Sequence, residues 1–154
     1  MYLPLNESKF IESEVTLRNL RFSSEAGETR RSMVRWLALS LGVINPGESR
    51  QSAVSVLDAI LYFQFSENKD PSVEELSQYI EKNWSSINEK TLRYHLLQLK
   101  KARIVENGKG RYFLAWPEVG NRYSEQAWVD WYFDSMVGPI KERVSMVLRE
   151  LNRR

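Results

Sequence analysis

The stretch from Asn88 to Trp116 constrains the fold more than any other part of the sequence, because it predicts a helix followed at once by a hairpin. The helical part has apolar residues at positions i, i+4 and i+7, the spacing that lines one face of an α-helix. This apolar stripe consists of Leu92, Leu96 and Leu99. Such a helix turns one face to a core and leaves the opposite face to solvent or to a partner.

Local signals mark both ends of this helix. In front of it, Ser86 and Glu89 have the spacing of a capping box, in which two side chains satisfy free backbone N–H groups. Behind it, Asn107-Gly108 favours the two left-handed positions of a tight hairpin turn. Residues 111–116 then return as a strand. The sequence therefore predicts a helix at 88–102 and a hairpin around 105–112.

The residues from Thr91 to Val105 also follow a family pattern. They read T-L-R-Y-H-L-L-Q-L-K-K-A-R-I-V, which resembles the pattern T-V-S-x-H-L-x-x-L-x-x-A-G-L-V of prokaryotic and archaeal regulators of the arsenic-repressor kind. The resemblance covers residues 50–116 and is to the winged helix-turn-helix superfamily, with no narrower family indicated. One departure is Arg103, which stands where these families usually have a glycine that suits a left-handed residue after a helix.

The resemblance implies a fold that is mainly α with a small β-hairpin, an α+β winged helix-turn-helix with a helical extension at each end. Residues 49–116 would form the winged domain, with the recognition helix at 88–102 and the wing at 105–112. Residues 1–48 would supply an N-terminal arm and helix, and residues 117–154 a C-terminal helical extension. Terminal helices of such regulators often pair two subunits, so the resemblance also implies a homodimer.

Helical spacing of apolar residues predicts three helices before the recognition helix. The first spans Glu28 to Val43, the second runs from a Ser49 cap to Ser66, and the third is capped by Ser72. The polar side of the first helix is either a solvated face or a phosphate-binding face, and its basic residues are Arg30, Arg31 and Arg35.

The segment from Val15 to Phe22 has three interpretations. It can be a strand, an arm that packs on a partner subunit or, with Arg18 and Arg21, an arm that reaches into a minor groove. At the other end of the chain, Ser124 is expected to cap a helix that continues to about residue 152. Gly138-Pro139 is expected to kink or split that helix.

The last helix carries apolar residues that must be covered by the same domain or by another subunit. Its later part has a stripe of Ile140, Val144, Val147, Leu148 and Leu151. Its earlier part has an aromatic cluster of Trp128, Trp131, Tyr132 and Phe133. Packing in a core or interface explains the cluster, and an apolar ligand pocket is the alternative. No polar pattern identifies a small-molecule effector.

Composition and motifs exclude several classes of function. The chain has 154 residues, of which 42% are hydrophobic, with no cysteine and one histidine. Disulfides, cysteine-built metal sites and cysteine nucleophiles are therefore excluded, and we expect neither a metal nor a cofactor. No P-loop, dinucleotide-binding glycine motif or nucleophile elbow occurs, so we expect no enzyme activity. Without a signal pattern or an apolar run of about 20 residues, we expect a cytoplasmic protein that does not enter a membrane.

Charge is distributed unevenly along the chain. The net charge is only +2, yet Ser86 to Trp116 contains seven basic and two acidic residues. A local basic excess is the pattern of a nucleic-acid face, so we expect double-stranded DNA as the partner. The resemblance implies transcriptional regulation. The residues expected to contact DNA are Asn88, Lys90, Thr91, Arg93, Tyr94, Leu97, Lys101, Lys109 and Arg111.

The side-chain chemistry assigns different roles to these residues. Arg93 can bind O6 and N7 of guanine with two N–H groups, whereas Lys90 and Lys101 suit phosphates. The two basic residues of the hairpin, Lys109 and Arg111, would bring charge to the DNA backbone or the minor groove. Leu97 suits a thymine methyl group, or else it marks a surface for another protein. A winged helix used as a protein-interaction module in a larger assembly is therefore the alternative function.

Overall fold

The computed structural model describes residues 6–116 and 121–154, so residues 1–5 and 117–120 of the predicted extensions lie outside the described residues. Within the described part, the protein has five α-helices and a two-stranded antiparallel hairpin, which confirms the predicted mostly helical α+β class. After a short 3-10 helix (Glu7–Phe10), the elements in chain order are α1 (Arg30–Ser40), α2 (Ser52–Phe65), α3 (Val73–Asn83), α4 (Glu89–Lys101), β1 (Val105–Gly108), β2 (Arg111–Leu114) and α5 (Glu125–Asn152). None of these helices is long and apolar enough to cross a membrane.

α2 is the helix around which the others pack. Every residue from Ala53 to Ile60 is buried, and a helix buried on all sides needs neighbours on all sides. α1, α3, α4 and β2 supply that cover. The one charged residue in this run, Asp58, accepts hydrogen bonds from Arg30 Nε at 2.6 Å, Trp84 Nε1 at 2.8 Å and Tyr79 Oη at 2.9 Å.

The arginines of α1 hold this helix to the rest of the protein. Besides the arginine that pairs with the buried carboxylate of α2, Arg31 donates to the carbonyl oxygen of Asn83 and lies 4.4 Å from the ring centre of Trp84. Arg35 donates to the carbonyl oxygen of Glu48 at 2.8 Å. Arg30 and Arg31 remain exposed, as a solvated face predicts, but each of the three guanidinium groups also binds its own chain.

The N-terminal arm packs on α1 of its own chain. Residues Val15–Phe22 form no strand, so that interpretation is wrong. Arg18 donates to the carbonyl oxygen of Leu39 at 2.8 Å, which occupies one of the two guanidinium groups that a minor-groove arm would use. The arm lies close to the backbone at Gly42, just after α1. Gly42 has φ of +72°, and an added Cβ would be 2.5 Å from the carbonyl oxygen of Thr16. Only glycine fits this position.

Two helix caps are those that the sequence predicts. The hydroxyl of Ser72 accepts from the N–H of Glu75 at 3.2 Å, and the Glu75 carboxylate accepts from the N–H of Ser72 at 3.1 Å. This is a complete capping box at the start of α3. The hydroxyl of Ser124 accepts from the N–H of Ala127 at 3.2 Å and begins α5.

Two other predicted caps are wrong. α4 is capped by Asn88, whose side chain accepts from the N–H of Thr91, so Ser86 is not part of a capping box. The serine and glutamate spacing fits the motif, but the chain becomes helical two residues later and the asparagine takes the cap. α2 begins after Gln51, which makes no side-chain cap hydrogen bond, and Ser49 lies outside the helix.

The hairpin turn falls two residues later than the sequence predicts. The strand register pairs Val105 with Leu114, Glu106 with Phe113, Asn107 with Tyr112 and Gly108 with Arg111. The turn therefore consists of Lys109 and Gly110, which have φ of +54° and +75° and are the two left-handed positions of the hairpin. Asn107 stays in β1, where its side-chain oxygen accepts from Lys100 Nζ at 2.7 Å.

α5 is one helix that runs without a break through Gly138 and Pro139, so the predicted split is wrong. Its early half covers the domain with residues spaced four apart, which are Trp128, Tyr132 and Met136. The rings of Trp128 and Tyr132 stack at 4.8 Å, which confirms core packing for these two residues of the aromatic cluster, whereas Phe133 is 38% exposed. The half after Met136 has no buried residue.

Candidate nucleic-acid interface

α4 has an exposed stripe opposite its buried leucines. Successive residues turn by about 100° around a helix, so the face opposite the leucines is set by spacing alone. That face carries Lys90, Tyr94, Leu97 and Lys101, which we call the α4 stripe. All four are exposed, Tyr94 to 56% and Leu97 to 48%. An aromatic and an aliphatic side chain thus lie between two ammonium groups on one helix face.

Asn88 and Thr91 lie at the first turn of α4 and belong to its cap. Asn88 Oδ1 accepts from the backbone N–H of Thr91 at 2.8 Å, and the Thr91 side chain is partly buried. A cap of this kind stabilises a helix by about 1 kcal/mol. The structure therefore places these two predicted contact residues in the helix start and not on the α4 stripe.

Arg93 lies on α4 beside the stripe. Its guanidinium is 3.5 Å from Glu89 Oε1 one turn earlier, and both side chains are more than half exposed. Exposed pairs of this geometry contribute little to stability because water and salt screen them. The guanidinium can therefore exchange this carboxylate for another acceptor at small cost.

The hairpin is fixed next to the C-terminal end of α4. Lys100 of α4 donates to Asn107 of β1, and Leu99 and Val105 are both buried in the same core. Lys109 occupies the exposed tip of the hairpin and forms no ion pair with any residue of 6–116 or 121–154. One exposed ammonium group is thus held at a defined position beside α4.

Arg111 turns away from the hairpin tip and binds the start of α3. Its guanidinium donates to the carbonyl oxygen of Asp70 at 3.0 Å and to Glu75 Oε1 at 2.8 Å. The hydrogen bond from Lys69, those from Ser72 and Arg111, and the Lys69 charge lower the pKa of Glu75 to about 2. Arg111 therefore ties the hairpin to α3, a role that sequence spacing did not indicate because its partners are distant in the chain.

A cavity of about 580 Å³ lies beside α4. Its lining includes Arg50, Glu48, His95 and two members of the α4 stripe. His95 Nε2 is 2.9 Å from Ser52 Oγ, and burial together with the charge of Arg50 lowers the pKa of His95. His95 thus joins α4 to α2. Arg50 adds a cation near the stripe that the motif did not identify.

Comparison of the chain with protein-family models, with curated proteins and with solved structures found no match in any of the three. In the described part of the chain, no three histidine, aspartate or glutamate side chains are grouped as metal ligands.

Proposed function

We propose that this chain is a winged helix-turn-helix protein that binds duplex DNA as a homodimer and acts as a cytoplasmic transcriptional regulator. In this proposal α3, the turn after it and α4 form the helix-turn-helix, and the β1–β2 hairpin is the wing. The observation that carries the proposal is the α4 stripe, because it exposes two lysines on a helix whose opposite face is buried. A basic helix face with a basic hairpin tip beside it suits a groove between two phosphate backbones.

The dimensions and chemistry of α4 suit the major groove. An α-helix with its side chains is about 10–12 Å across and the major groove is about 12 Å wide. Lys90 and Lys101 would bind phosphates, which give affinity without reading sequence. Arg93 would leave its exposed carboxylate partner for guanine, and Leu97 would contact a thymine methyl group. Lys109 at the wing tip would contact the adjacent backbone.

Three of the predicted contact residues take supporting roles in this arrangement. Asn88 and Thr91 begin the recognition helix, and Arg111 fixes the wing to α3. Their replacement would weaken binding by moving α4 or the wing and not by removing a DNA contact. Two-fold symmetry of a homodimer would require a palindromic site with half-sites about one helical turn apart.

A protein-interaction module remains the second candidate, and one observation favours it. Tyr94 and Leu97 are both about half exposed and lie one turn apart on the α4 stripe, and the core of a protein interface is apolar and enriched in aromatic residues. In that case Leu97→Asp would abolish partner binding while lysine replacements had little effect.

The proposal is tested by the affinity for a mixed-sequence DNA duplex at low salt, measured by fluorescence anisotropy. We expect Lys90→Ala with Lys101→Ala to weaken binding by about tenfold or more, because two phosphates are then left without a bound ammonium group. The matched control is Lys9→Ala with Lys82→Ala, which removes the same charge from two exposed lysines outside the α4 stripe. Equal affinity of the two double variants, or no binding by the wild type, would overturn the proposal.

A further inference from the structure

α5 carries a second apolar face that its own domain does not cover. The residues of this face follow one another at intervals of four, three, four, three and four, and they are Phe133, Val137, Ile140, Val144, Val147 and Leu151. Their exposure rises along the helix from 38% at Phe133 to 63% at Leu151. Alternation of three and four is the heptad pattern of a coiled coil, and we call these six residues the α5 seam.

The α5 seam is distinct from the face that packs on the domain. The packed face ends at Met136, and the seam lies on the neighbouring side of the helix and continues to Leu151. Past Met136, an exposed apolar seam is flanked by charged residues on both sides, as a two-stranded coiled coil requires. The charged residues next to the seam are Lys141, Arg143 and Glu150.

We propose that two copies of this chain pair through the later part of the α5 seam as an antiparallel coiled coil, centred between Ser145 and Met146. In this register Ile140 packs against Leu151 of the second copy, and Val144 packs against Val147 of the second copy. Two-fold symmetry repeats both contacts, which gives four aliphatic layers. The paired segment begins after Met136, so it does not compete with the packing of α5 on its own domain.

Charge complementarity selects this register. In an antiparallel coiled coil, the residue that precedes the first seam position of a heptad faces the corresponding residue of the other helix. Here these residues are Arg143 and Glu150. Each Arg143 therefore lies opposite Glu150 of the other copy, and two-fold symmetry forms the pair twice. Antiparallel pairing centred on Glu142 would instead set Arg143 against Arg143 and Lys141 against Lys141, and like charges there are unfavourable. In a parallel pair, Arg143 would lie beside Leu148 of the second copy, and no ion pair would form.

The present partners of these charges do not oppose the pairing. Arg143 lies 3.3 Å from Glu12, and Glu150 lies near Arg153 and Arg154, with side chains that are all at least half exposed. Such pairs are weak and exchange readily. The interface rests on the proposed function for its role, since it supplies the second subunit of the homodimer, but it can be tested without DNA.

Disulfide cross-linking tests the register directly, because the chain has no cysteine. We expect Ile140→Cys protein mixed with Leu151→Cys protein to form a cross-linked dimer under mild oxidation. Either variant alone should stay monomeric on a non-reducing gel, because like positions are then about 16 Å apart along the axis, beyond the reach of a disulfide. The control is Arg149→Cys on the opposite side of α5, which should not cross-link with either variant.

Other cross-linking results would overturn the interface. Self-cross-linking of Ile140→Cys would show parallel pairing, and cross-linking with Val144→Cys but not with Leu151→Cys would show the register centred on Glu142. No cross-link in any mixture would show that the seam does not pair. None of these results would affect DNA binding by the α4 stripe of one subunit, so the two proposals can fail separately.

Charge exchange provides the second measurement. In sedimentation equilibrium we expect Arg143→Glu to raise the dimer dissociation constant about tenfold, because two attractive pairs become repulsive. Adding Glu150→Arg to the same chain should restore the dissociation constant to within about threefold of the wild type. A double variant as weak as the single variant would overturn the Arg143–Glu150 contact.

Discussion

Asp58 lies in the middle of α2 with 2% of its surface exposed, where an unpaired carboxylate would be costly. Its two oxygens accept from residues of α1, of α3 and of the turn before α4. Burial, followed by the hydrogen bond to Asp58, raises the pKa of Tyr79 to about 12. This single side chain therefore connects α1 to the segment that carries α4.

Replacement of Asp58 is expected to be strongly destabilising. Asp58→Ala leaves the part-buried donors of Tyr79 and Trp84 without their acceptor, and we expect the free energy of unfolding to fall by about 3 kcal/mol. We expect no larger decrease in stability, because Arg30 is half exposed and water can solvate its guanidinium once the carboxylate is removed. Urea denaturation measures the change. Asp134→Ala on exposed α5 is the control and should change stability by less than about 0.5 kcal/mol.

Glu75 makes stability depend on pH in the acid range. Its pKa is about 2 in the folded protein, against an ordinary value of 4.5. A lowered carboxyl pKa stabilises the fold fully above 4.5, and this contribution is lost as the pH falls from about 4.5 towards 2. We expect Glu75→Gln to be less stable than the wild type at pH 7 and the difference to shrink at pH 3. A difference that stays constant between those pH values would contradict this assignment.

These residue contacts could not be predicted from the sequence. The partners of Asp58 lie 21 to 28 positions away, and those of Arg111 lie 36 and 41 positions away. Spacing rules describe neighbours within one helix or hairpin and contain no information on such pairs. For that reason spacing alone assigns the α1 arginines to solvent and Arg111 to the hairpin tip.

At the scale of elements, local patterns predicted most of the helices. The leucine spacing of α4 and the serine caps of α3 and α5 depend on residues within one or two turns, and all three predictions are confirmed. Predictions failed where two local signals competed. Asn107-Gly108 has the composition of a turn, but Lys109-Gly110 takes the two left-handed positions instead. Asn107 stays in β1 and accepts a hydrogen bond from Lys100.

The end of α4 contains a testable strain. Arg103 has φ of +62°, and the N–H groups of Arg103 and Ile104 donate to Lys100 and Leu99, which is the Schellman arrangement that glycine usually completes. The sequence departure at Arg103 thus marks a left-handed residue with a side chain. We expect Arg103→Gly to raise the free energy of unfolding by about 0.5–1 kcal/mol.

The control for this prediction separates backbone strain from the removal of charge. Arg103→Ala removes the same guanidinium but keeps a Cβ in the left-handed region, so it should not increase stability. The measurement is thermal or urea denaturation of the three proteins. An increase in Arg103→Ala equal to that in Arg103→Gly would assign the effect to charge instead.

At the scale of the whole molecule, the sequence predicted which faces of α4 and α5 are apolar or polar better than it predicted what covers each face. Helical spacing alone placed five residues on the side of α4 away from the leucines, and all five are exposed: Lys90, Arg93, Tyr94, Leu97 and Lys101. The apolar stripe late in α5 was also evident in the sequence, but its exposure depends on where the domain stops covering the helix, at Met136. That limit is set by tertiary packing and has no local signal.

The central claim is that the α4 stripe binds DNA phosphates, and the salt dependence of binding to a mixed-sequence duplex tests it most directly. Phosphate binding releases counterions, so we expect the logarithm of the association constant to fall linearly with the logarithm of salt concentration. Replacing Lys90 and Lys101 with alanine should make that slope shallower by about one for each phosphate that is no longer bound. A slope and affinity unchanged by these replacements, or binding that does not vary with salt, would contradict the claim.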